Sequence, residues 1–174
     1  MDLLKLQKGV TIYGRVSFAL YLADLALGVL AGEPGYPLAQ RGLHEAERWL
    51  AGAPVDGLTF SDCIYDTNDT GIAAAEIQAQ EQVIKAAYGC LVSVLGYVAR
   101  YAYLRSGDRP DEMATEFTEV AVQFALDYAQ ALPTYDHARV LRAYNYIVMN
   151  CRIEVGDEWG TPIDLQDLKK YAGA

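Results

Sequence analysis

Oxygen-bearing side chains at Asp66, Asn68 and Thr70, followed by Gly71, stand at positions one, three, five and six of a run that begins like a calcium EF-hand loop. The bidentate carboxylate that completes such a loop belongs at position twelve, where the chain has Ile77, and Glu76 comes one residue early. The run therefore reads as a capped turn that launches a helix, because Asp and Asn side chains bond nearby backbone without a metal. Asp62, Asp66 and Asp69 remain the carboxylates that a small metal-dependent helical hydrolase would use. The two histidines, His44 and His137, lie on different segments outside HExxH or ExxH spacing and read as surface or helix-end residues. Cys63, Cys90 and Cys151 are odd in number and lack a CxxC, which argues against a disulfide framework or zinc site and fits a reducing cytosol. A Cys/His pair from Cys63 or Cys151 could assemble in space, but nothing local positions one. No GxxxxGK[ST], GxGxxG or GxSxG occurs, which makes an ATPase, a dehydrogenase or an ordinary esterase a poor fit. No cofactor or metal is expected.

The stronger signal is where positive charge is missing. The chain has 23 acids against 14 Lys and Arg, a formal charge of -9, which opposes nucleic acid and anionic membranes as partners and favours a basic protein. Between Arg48 and Lys85 there are six acids and no base, between Arg109 and Arg139 six more, and between Arg152 and Lys169 another five. In the second stretch Glu112, Glu116, Glu119, Gln123 and Asp127 recur at helical spacing. Met113, Phe117, Val120, Phe124 and Tyr128 fall beside them on what should be the packing face. An unrelieved acidic row costs helix stability slightly. It suits a complementary surface, on which Glu112, Glu116, Glu119 and Asp127, or Asp62, Asp66 and Asp69, would meet cationic residues. Phe60, Tyr65 and Trp159, beside Asp157 and Glu158, are candidate aromatic anchors, though each also fits a core role.

The elements that must carry these residues are helical. At 174 residues with 52% hydrophobic and 21% charged side chains, the chain suits one domain over 1–174 with a real core. Gly and Pro punctuation predicts an all-α bundle of five to six helices over about 4–31, 37–51, 72–104, 110–132 and 135–155, with a short one from Thr161-Pro162 to about Tyr171. Residues 55–70 read as irregular, with a short strand or helical turn at 60–65. Lys5, Lys8 and Arg15 before the apolar run 16–31 have a signal-peptide look, but Asp24 and amphipathic spacing favour a core helix. The uncharged run 86–99 is too short for the ~20 residues of a bilayer span and reads as a long central buried helix. Gly89, Ser93 and Gly96 put small side chains on one side of it, which admits a close neighbour, and a kink is expected near one of the glycines. A Tyr-rich core with Tyr97, Tyr101, Tyr144 and Tyr146 leaves a ligand-sensing module open as a further alternative.

The segment Ala46-Glu47-Arg48-Trp49-Leu50-Ala51-Gly52, the Asp/Asn-rich loop after it, Val98-Ala99-Arg100-Tyr101-Ala102-Tyr103 in an Ala/Tyr-rich helix, and Pro110 opening an acidic helix form a recognisable order. The order resembles the sixth family of predicted immunity proteins from bacterial polymorphic toxin systems, which are small, cytosolic and all-helical. The resemblance implies a non-enzymatic, cytoplasmic inhibitor, monomeric or weakly dimeric. It would bind a cognate toxin domain and occlude its active site, and the acidic composition favours a basic toxin such as a nuclease. It assigns no individual binding residue.

Overall fold

The computed structural model describes residues 1–66 and 70–173, and among them the chain is all-α. Ten helices follow one another: α1 (Leu3–Gly9), α2 (Ile12–Val29), α3 (Tyr36–Leu50), α4 (Gly57–Ile64), α5 (Ile72–Gln78), α6 (Gln82–Ser106), α7 (Glu112–Glu116), α8 (Val120–Gln130), α9 (His137–Asn150) and α10 (Leu165–Gly173). α6 is the axis. It is buried from Ala86 to Tyr103 with few interruptions and ends at Gly107, whose φ of +82° allows Asp108 N–H to reach back to the Tyr103 carbonyl at 3.0 Å. α2, α4, α5 and α8 pack around α6, α3 bridges α2 and α4, and α9 and α10 pair against the opposite flank of α2. By length and composition α2 and α6 are apolar enough to cross a bilayer, but 72% of each apolar window is buried inside the fold.

The helix count exceeds five or six because three expected helices are each two, and because residues 57–64, within the stretch expected to be irregular, form α4. The first breaks at Val10, which pairs in an isolated antiparallel bridge with Arg152, and the Thr11 hydroxyl then caps α2 by accepting from Gly14 N–H at 3.3 Å. The third breaks at residues 79–81, where Ala79 and Glu81 are extended, so no kink at Gly89 or Gly96 is needed. The fourth breaks at Phe117, with a ψ of 79°, and restarts only at Val120. Each break has a tertiary partner or a cap that local periodicity does not announce. The expected fifth helix stops at Asn150, because Cys151 and Arg152 join the extended crossing with residues 9–11. Val155, placed on that helix by spacing, is instead fully exposed in a loop. α10 starts at Leu165 under an Asp164 cap, not at Pro162.

The small-residue side of α6 does admit close neighbours. The Tyr128 ring lies over Gly89, where a Cβ would come within 2.7 Å of it, and the Phe117 ring lies over Gly96, too close for any Cβ. The tyrosines of the core fill space against other rings. Tyr97 meets Tyr101 edge-on at 5.0 Å, Phe18 meets Tyr144 at 6.0 Å, and Tyr146 meets Tyr171 at 4.9 Å.

Candidate functional site

The break at Phe117 decides what becomes of the acidic row. Because the Phe117 ring must seat on Gly96, the chain turns before α8, and Glu119 is carried toward α2 instead of outward with Glu112 and Glu116. Its carboxylate accepts a hydrogen bond from the Tyr101 hydroxyl at 2.6 Å and lies 3.7 Å from the Arg15 guanidinium, whose side chain is only 10% exposed. Arg15 also donates to the Gln7 carbonyl and lies over the Tyr101 ring, and Gln7 in turn donates to the Glu119 carbonyl. Burial alone would raise the Glu119 carboxyl. The Tyr101 hydroxyl, its own backbone N–H and the Arg15 and Arg100 charges together hold it below the usual glutamate range. Glu119 therefore joins α1, α2, α6 and α8, and the continuous stripe from Glu112 to Asp127 does not exist.

Trp159 is likewise turned inward. Its ring sits 5.7 Å from Tyr13 and 6.0 Å from Tyr101, and its carbonyl accepts from Tyr13 N–H, so it anchors the loop before α10. Phe60 is fully buried. Asp62 is exposed on α4, within electrostatic reach of Cys63 as are Arg41 and Glu45 of α3. Asp66 accepts from the Thr70 hydroxyl, and Asp69 lies outside the described residues. Among the described residues no three His, Cys, Asp or Glu side chains come together as metal ligands. The three thiols are buried, and burial pushes Cys90 up to about 12 and Cys151 up to about 11, so neither is a thiolate at neutral pH. Both histidines are exposed, His44 on α3 and His137 at the start of α9.

What remains on the outside is an aromatic face with carboxylates around it. α8 packs through Ala121, Ala125 and Ala129 with Val122 and Leu126, which leaves Val120, Phe124 and Tyr128 exposed along the opposite edge at i, i+4 and i+8. Phe124 is 54% exposed. The expectation that Val120, Phe124 and Tyr128 form the packing face holds only for the Tyr128 ring, which lies over Gly89, whereas Val120 and Phe124 are exposed and the alanine ladder is buried in their place. That ladder was the sequence signal that would have found the face. Tyr128 feels the charge of Glu76 on α5, and Tyr65, at the end of α4, feels both Glu76 and Glu116. Ile77, beside Glu76, is 81% exposed. Four helices, α4, α5, α7 and α8, thus bring Tyr65, Glu76, Glu116 and Tyr128 to one side, with Phe124 and Asp127 next to Tyr128 on α8 and Ile77 next to Glu76 on α5. Glu76 itself is half-buried, and burial raises its carboxyl with only partial relief from Lys85. Glu112, Glu116 and Asp127 make no ion pair among the described residues, whereas the acids Asp24, Glu45, Glu47, Glu119 and Asp136 do. Chemically, such a face can stack and neutralise cationic side chains, and its exposed rings supply apolar area for a protein partner.

No curated protein and no solved structure matches the chain. A family model, that of immunity protein Imm6, matches residues 14–128, a span that holds the whole aromatic face and ends at Tyr128. The chain belongs to the Imm6 immunity protein family.

Proposed function

We propose that this protein neutralises a cognate toxin domain without catalysis, in the cytoplasm of the cell that makes it, by covering the toxin's active site with the aromatic face of α8, α5 and the α4 end. The observation that carries this reading is the exposed row Val120, Phe124 and Tyr128 beside unpaired carboxylates. A lone soluble domain gains nothing by presenting such a row to water, whereas a partner desolvates it. Phe124 and Tyr128 supply apolar contact, and Glu116, Asp127 and Glu76 meet cations that line a basic active site such as a nuclease's. Clustered charge there speeds encounter and selects the partner more than it adds affinity. Occlusion requires no bond to be made or broken, which agrees with buried thiols whose pKa values burial raises.

The test is co-expression with the polypeptide encoded immediately upstream, followed by pull-down and growth rescue. Rescue by the wild-type chain, lost on Phe124→Asp while thermal stability is kept, is the expected result. Rescue that survives Phe124→Asp would remove this face from the mechanism.

A further inference from the structure

A second surface lies outside the family-matched span, in the loop between α9 and α10. Residues 152–160 form a narrow turn closed by the Glu154 and Asp157 bridge, with Gly156 at a φ of +85°. Its base is fixed. Thr11, Ile12 and Tyr13 N–H groups donate to the carbonyls of Cys151, Glu158 and Trp159 at 2.8 to 3.1 Å, and Ile153 N–H donates to Gly9. Gly160, at a φ of +72°, lies too tight against Thr11 for a larger residue. The loop is thereby held ready in one shape, which lowers the ordering cost of any contact it makes.

Beneath it opens a cleft of about 560 Å³, walled by the rings of Trp159 and Tyr101 and by Leu104 and Ile153, with Glu119 and Glu158 as its carboxylates. Arg15 also reaches the cleft, but its charge is already paired with Glu119. Glu158 and the neighbouring Glu154 have no ion pair among the described residues, and there is no Lys or Arg between Arg152 and Lys169. Val155 stands fully exposed at the tip, with Ile153 and Leu104 partly exposed toward the cleft. A carboxylate without a counter-charge, two aromatic walls and an apolar rim match a cation on a short apolar stem.

We infer that this cleft receives one Lys or Arg side chain of the toxin, with Val155 pressed against an apolar residue next to it. The inference rests on the proposed immunity function and assigns a second contact, separate from the α8 face. Ile153, Glu158 and Trp159 of this cleft lie beyond the matched residues, whereas Arg15, Tyr101, Leu104 and Glu119 lie within them.

The polypeptide encoded immediately upstream, immobilised, is the probe for binding kinetics with Glu158→Lys, Val155→Asp and Phe124→Asp variants of the full chain. The three side chains are exposed, and unchanged thermal midpoints will show that the variants fold. About a tenfold or greater loss of affinity for Glu158→Lys, with a smaller loss for Val155→Asp, is expected. Wild-type affinity in both loop variants, with binding lost in Phe124→Asp, overturns the cleft contact and leaves the immunity reading standing. No binding by the wild-type chain overturns both.

Discussion

The two sides of α8 carry the same kinds of residue to opposite ends. On the side toward α2, Glu119 is spent on the fold. It is bonded to Tyr101, paired with Arg15 and held ionised by them. On the other side, Asp127 accepts from Gln123 of its own helix at 2.6 Å, neither it nor Glu116 makes an ion pair among the described residues, Phe124 faces outward, and the Tyr128 ring is partly exposed beside Gly89. Acidity and periodicity do not distinguish these two sides. What distinguishes them is whether the tertiary structure supplies a cation and a donor, and a carboxylate left without either is free to recruit them from a partner.

The largest effect should come from breaking the inner side. Arg15→Ala leaves Glu119 beside Tyr101 without its cation, and a loss of roughly 2 kcal/mol of folding stability is expected, toward the lower end for broken pairs because Glu119 keeps partial contact with water. Chemical denaturation will read it, and a loss below the scatter of surface substitutions would contradict the structural role. The acid limb of stability sharpens the point. The folded-state pKa of Glu119 is depressed, so its contribution is present above the ordinary glutamate value of ~4.3 and is lost as pH falls through the lower folded value. Glu119→Gln should remove that part of the acid limb.

On the outer side the effects should appear in binding and leave stability alone. Phe124→Ala, at a half-exposed position, is expected to cost about tenfold or more in affinity, as an interface anchor does, with a thermal midpoint within a degree or two of wild type. Surface plasmon resonance and a melting curve check both halves. A variant that loses stability in place of affinity would make the two sides alike. A smaller effect is expected from Glu116→Lys with Asp127→Lys. Charge reversal there should slow association several-fold and flatten its dependence on salt while dissociation changes little.

The distinction was half legible in the sequence. α2, α3 and α6 follow from apolar spacing and from Gly and Pro punctuation, and the small residues Gly89 and Gly96 announced close packing on α6. The breaks at Val10 and Phe117 were not legible, because Arg152 and Gly96, the residues that impose them, are distant along the chain. The sequence places Glu119 in one row with Glu112, Glu116 and Asp127, and leaves Trp159 open between an interface anchor and a core ring. Only the positions of Arg15, Tyr13 and Tyr101 show that they turn inward. Phe124 was assigned to the core because aromatic spacing looks the same on either edge of a helix. Ala121, Ala125 and Ala129, buried where α8 packs against α6 and α2, mark which edge is buried.

The smallest effect separates the sides by pH. Glu76 is half-buried and its folded-state pKa is raised, so the free protein binds a proton there more readily than the unfolded chain does. Its contribution to stability is present below ~4.3 and is lost as pH rises through the raised folded value, above which an ionised, poorly solvated carboxylate is a cost. A toxin cation placed against Glu76 would remove that cost and lower the pKa in the complex, so binding should release a fraction of a proton in mildly acidic solution. Affinity should therefore rise with pH through that window and level off above it. Calorimetry in two buffers of different ionisation enthalpy measures the proton directly, and Glu76→Gln should abolish its release. Glu119, already paired and depressed, should contribute no such release, and a proton that persists in Glu76→Gln but vanishes in Glu119→Gln would mean that it comes from the cleft beside Arg15 and not from the α8 face.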